Sequence, residues 1–80
     1  MAKAKIMTAF SYDNNDKRSD EKITCEVIGE YGMVGSENSL GNVWKDKDGN
    51  LWMLWRFMRQ YSFVPFEQKH GELDFWFREF

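Results

Sequence analysis

Eighty residues are read as a single domain, 1–80, with no linker or internal repeat. With 42% hydrophobic and 18% aromatic side chains against six Gly and one Pro, the chain is neither disordered nor collagen-like. A net charge of −2 without a basic tract lacks the electrostatic footprint of a duplex nucleic-acid binder.

Residues 3–12 alternate, with Ala4, Ile6, Thr8, Phe10 and Tyr12 on one side, and read as a first strand. Residues 13–21 are polar throughout and read as a solvated loop. Residues 22–30 alternate again, with Ile23, Cys25 and Val27 set against Thr24, Glu26 and Ile28, which predicts a second strand. Gly29, Gly32 and Gly35 then punctuate an irregular stretch. The Asp48-Gly49 pair between apolar runs predicts a hairpin that sets Trp44 across from Trp52.

The next segment carries two patterns. As a strand, Leu51, Met53, Trp55 and Phe57 share one face and Trp52, Leu54, Arg56 and Met58 the other. As a helix capped by Asn50, Leu51, Leu54, Trp55 and Met58 form the stripe. Residues 61–66 read as a short strand that Pro65 confines to an edge or an end. Residues 72–80 again fit a strand or a helix, and the break at Lys69-His70-Gly71 pairs them with 61–66 as a second hairpin. The expected fold is mainly β, a small antiparallel sheet or partly open barrel built from hairpins. The alternative is α+β with one or two helices in residues 51–80.

Little in the chain is equipped for catalysis. Cys25 and His70 are the only thiol and imidazole, too few for an ordinary zinc site, and Cys25 reads as a small core residue. Asp46-Lys47-Asp48-Gly49-Asn50 fails as an EF-hand loop, because its sixth and twelfth positions hold Leu51 and Phe57. The glycine triplet lacks the start of a dinucleotide loop and the end of a P-loop. Glu67, Glu72 and Asp74 are carboxylates of the kind a glycosidase pairs, yet such charges also keep an edge strand soluble. A non-enzymatic protein without cofactor or metal is expected. The lone cysteine, the absence of an apolar leader and a longest apolar run of Leu51 to Trp55 predict a cytoplasmic protein off the membrane.

Aromatic residues carry the functional signal. Only Phe10, Tyr12 and Tyr31 precede Trp44, and eleven more follow from there. A strand apolar on both faces needs cover on each side, and so short a chain has little left to supply the second. Trp52, Arg56, Arg59, Trp76, Arg78 and Phe80 are therefore the candidate partner-binding residues, of the types that dominate protein interfaces. The reading is a small protein-binding module that occludes a surface of a larger host complex. Inhibitors or adaptors of that style occur on phages and mobile elements, including those that block CRISPR or restriction defences. Homo-oligomerisation is a separate expectation from the same two-faced strand. The alternative is a single-stranded nucleic-acid-binding barrel with stacking aromatics and phosphate-binding arginines. Tyr61-Ser62-Phe63-Val64-Pro65-Phe66 resembles the aromatic strand of cold-shock-type barrels. That resemblance covers six residues and lacks a preceding Lys-Gly-Phe-Gly-Phe strand.

Overall fold

The computed structural model describes residues 5–80, with only the backbone of Phe57. Seven strands make up the described chain: β1 (Ile6–Ser11), β2 (Ile23–Met33), β3 (Ser39–Lys45), β4 (Leu51–Phe57), β5 (Gln60–Pro65), β6 (Lys69–His70) and β7 (Leu73–Glu79). The mainly β expectation holds, and neither 51–57 nor 73–79 is a helix. Among the described residues no helix is long and apolar enough to cross a membrane.

Strands β1 to β5 run as a meander and return on themselves, in the order β1-β5-β4-β3-β2 with β2 also pairing β1. Five is odd, so one junction of the ring must be parallel. That junction is β1–β5, two residue pairs long, Phe10 to Ser62 and Ser11 to Phe63. The ring is thus a partly open barrel. β1 and β7 lie end to end along the same edge of β2, which meets β1 through residues 23–26 and β7 through residues 29–33.

This arrangement makes β4 apolar on both faces, because it serves two cores. Trp52 and Leu54 pack against Ala9, Cys25, Trp44 and Phe63 inside the barrel. Leu51 packs on the other side against Tyr31, Val43 and Met53, joined by Phe66, Phe75 and Phe77. Tyr31 sits between Phe66 and Phe75, with ring centroids 5.5 and 5.6 Å away, and Phe66 meets Phe77 at 5.7 Å. The expectation that so short a chain has little left to cover a second face is corrected in part: Phe75 and Phe77 of β7 cover the Tyr31, Val43 and Met53 cluster. The strand does so by leaving β5, so the predicted hairpin between 61–66 and 72–80 does not form. β7 instead pairs with β2, and turns locally onto the two-residue β6.

Other differences are local. The first strand forms, but its inward residues are Met7, Ala9 and Ser11 rather than the Ile6, Thr8 and Phe10 face. Small Ala9 fits beside the Trp44 and Phe63 rings, while Thr8 hydrogen-bonds Thr24 between hydroxyls and Phe10 lies beneath Arg18 and Lys22. The predicted start of that strand at Lys3 and Ala4 lies outside the described residues. β2 runs on through Gly29 and Gly32 instead of stopping there. Its register against β3 slips near Ile28 and again near Gly32, which re-aims the strand from the first core to the second. The Asp48-Gly49 hairpin and the Trp44–Trp52 pair form as predicted. Gly49 takes the left-handed position at φ 87° in that loop.

Candidate functional site

The six candidate residues do not form one surface. Trp52 is half-buried against the barrel core, and its Nε1–H donates to Asp46 Oδ2 at 3.0 Å. Burial opposes ionisation of Asp46. The N–H groups of Trp52, Asn50 and Asp48 outweigh it and hold the carboxyl below its usual range. The structure therefore gives Trp52 a packing and turn-fixing role.

Trp76, Arg78 and Phe80 form a first group. Phe75 and Phe77 point into the second core, so alternation along β7 sends Trp76 and Arg78 to the outer face, and Phe80 follows just past the strand's end. The Trp76 indole lies directly on Gly32, where a Cβ would collide with the ring, and its Nε1–H donates to the Ser36 carbonyl at 2.7 Å. Arg78 ion-pairs with Glu30 across the strand pair and holds its guanidinium 5.4 Å from the Trp76 ring centre. Phe80 is 77% exposed, and its N–H donates to the Ile28 carbonyl. β6 occupies the outer edge of β7 at Leu73 and Asp74, with one further bond from Phe75 to Gln68. Beyond that, no strand pairs this edge among the described residues.

Arg56 and Arg59 belong to a second group, at the turn joining β4 to β5. Phe57 pairs with Gln60, leaving a two-residue loop of Met58 and Arg59. Met58 adopts φ 54°, a position that such turns reserve for Gly, and it is 95% exposed. Arg56 and Arg59 flank it, both exposed, with the Arg56 guanidinium 5.8 Å from the Tyr61 ring centre.

Beside this hairpin lies a feature that the sequence did not announce, a cleft of about 500 Å³. Met53 and Val64 form its floor where the second core opens to solvent, and the 44%-exposed Trp55 forms one wall. Asp13 and Asp16, from the loop after β1, stand on its rim together with Glu67 and His70. None of the described residues lining it is Lys or Arg. The Asp13 carboxylate accepts the backbone N–H groups of Lys17 at 3.0 Å and Asn15 at 2.8 Å, and these hold it below its usual range. No alternation or motif could have joined residues 13–16 to residues 53–70, because only the closing of the barrel brings them together.

The groups suited to nucleophilic chemistry are set apart. Cys25 is buried in the barrel, where burial and then the Asp46 charge push its thiol up to about 12. His70 is exposed on β6. No cluster of three or more His, Cys, Asp or Glu side chains able to hold a metal occurs among the described residues. Comparison with protein-family models, curated proteins and solved structures finds no match.

Proposed function

We propose that the chain is a non-enzymatic protein-binding module that meets its partner through the outer face and open edge of β7. The observation that carries this reading is the Trp76–Arg78–Phe80 stripe. Two of its members are held in place before any partner arrives, Trp76 by Gly32 and Ser36 and Arg78 by Glu30. The third, Phe80, is exposed. Pre-held aromatic and arginine side chains lose little freedom on docking, which favours them as anchors. An unpaired strand edge alongside offers main-chain hydrogen bonds to an extended partner segment.

Such a module works by covering a surface of a larger complex, as an inhibitor or adaptor does. Single-stranded nucleic acid is the weaker alternative. Arg78 is already committed to Glu30, and Asp74 and Glu79 lie on the same strand, where they would repel phosphates.

Photo-crosslinking in host lysate tests the proposal. A crosslinking aromatic at position 80 is expected to trap a discrete protein that the same group at exposed Lys47 does not trap. Phe80→Glu should abolish capture by the otherwise unmodified chain while leaving its thermal midpoint unchanged. Equal trapping at the two positions, or capture indifferent to Phe80→Glu, would overturn it.

A further inference from the structure

We infer that two copies of this chain associate by each placing its Met58–Arg59 turn in the cleft of the other. The turn and the cleft are complementary in chemistry. The turn projects an apolar thioether between two arginines, Arg56 and Arg59, all three exposed. The cleft presents an apolar floor and an indole wall inside a rim that carries Asp13, Asp16 and Glu67. A flexible methionine suits an irregular apolar pocket and makes favourable contacts with an indole. The arginines meet the carboxylates at the rim, where opposite charges guide encounter and fix register.

Geometry favours reciprocity. Trp55 and Met58 stand three residues apart on one hairpin, roughly 10 Å at a strand's rise of about 3.3 Å per residue. Two such hairpins laid antiparallel place each turn over the other's cleft about one two-fold axis. Every copy then gives one turn and receives one, which closes the assembly at two. Met58 also explains itself in this setting. A residue strained at φ 54° and 95% exposed serves no packing within its own chain. The cleft shares no residue with the Trp76, Arg78 and Phe80 stripe.

Charge exchange in the purified full chain tests this. By sedimentation equilibrium from low micromolar to near-millimolar concentration, the wild-type mass should rise from 9.6 kDa to twice that value and stop. Arg59→Glu alone and Glu67→Lys alone set like charges at both contacts and should stay at the monomer mass. An equal mixture of the two variants sets opposite charges at both contacts and should recover the doubled mass. Both residues are exposed, and unchanged circular dichroism and thermal midpoints would establish that each variant folds. A wild-type mass fixed at the monomer value, growth past twice that value, dimers from either variant alone, or a mixture that stays monomeric would each overturn the inference. No partner protein is present in this experiment, so its outcome is independent of the crosslinking result.

Discussion

The indole of Trp76 rests on the backbone of Gly32, and the fit leaves no space for a Cβ at residue 32. The Asn38 carbonyl oxygen would collide with the same Cβ. Gly32→Ala must therefore displace either the ring or the chain, at a cost of about 1–3 kcal/mol. A fall in thermal midpoint of several degrees should follow. Removing the ring as well, in the Gly32→Ala, Trp76→Ala double variant, should give a loss smaller than the sum of the two single losses.

At Met58 the direction reverses. Gly accepts positive φ without strain, so Met58→Gly should stabilise the monomer by about 0.5–1 kcal/mol in urea unfolding. The same change removes the thioether that enters the partner's cleft, and the doubled mass should be lost. A more stable protein that no longer dimerises would identify this turn as kept for contact.

Asp46 makes the turn between β3 and β4 sensitive to acid. Its carboxylate accepts from the backbone N–H groups of Asp48 and Asn50, the Asn50 side chain and the Trp52 indole. The folded pKa lies below the ordinary 3.8. This contribution is therefore complete above 3.8 and is lost as pH falls through the lower folded value. Asp46→Ala should cost about 1–2 kcal/mol at neutral pH. The gap between wild-type and variant urea midpoints should narrow as the pH is taken below 3.8.

Cys25 supplies a reporter of unfolding. With its thiol pushed up to about 12 and its side chain buried, reaction with a disulfide reagent at mildly alkaline pH should be slow in the native protein. It should become fast when urea unfolds the chain. Fast labelling under native conditions would mean that the barrel opens readily around β2.

What could be read ahead of the structure was whatever local chemistry decides. Alternation in 22–30 and the Asp48-Gly49 turn were enough to place Cys25 inside and Trp44 opposite Trp52. The two-faced pattern of β4 was also visible, but its meaning depended on a distant strand. Phe75 and Phe77 reach the second core only because β7 crosses to β2, and nothing near residue 75 announces that crossing. The Met58–Arg59 turn escaped notice because neither residue carries the chemistry that marks two-residue turns. Gly29 and Gly32 were read as breaks because their purpose, room for Phe77 and Trp76, lies some 45 residues further along the chain. The candidate arginines and aromatics other than Trp52 lie in two separate places. Their division between a β7 stripe and a hairpin turn is a property of the topology.

The odd number of strands in the ring carries a consequence for how the molecule assembles. Four of its five junctions join neighbours in sequence and can zip up locally. The fifth joins Phe10 to Ser62 and Ser11 to Phe63 through only two pairs, and must wait for the whole meander. It closes at the cost of the longest loop, so it should be the last seam to form and the first to part. The amide of Tyr12, bonded to the Phe63 carbonyl at that seam, should exchange its hydrogen through a lower-energy opening than the amides between β3 and β4. Because the loop after β1 also carries Asp13 and Asp16, each opening of the seam takes part of the cleft's rim with it.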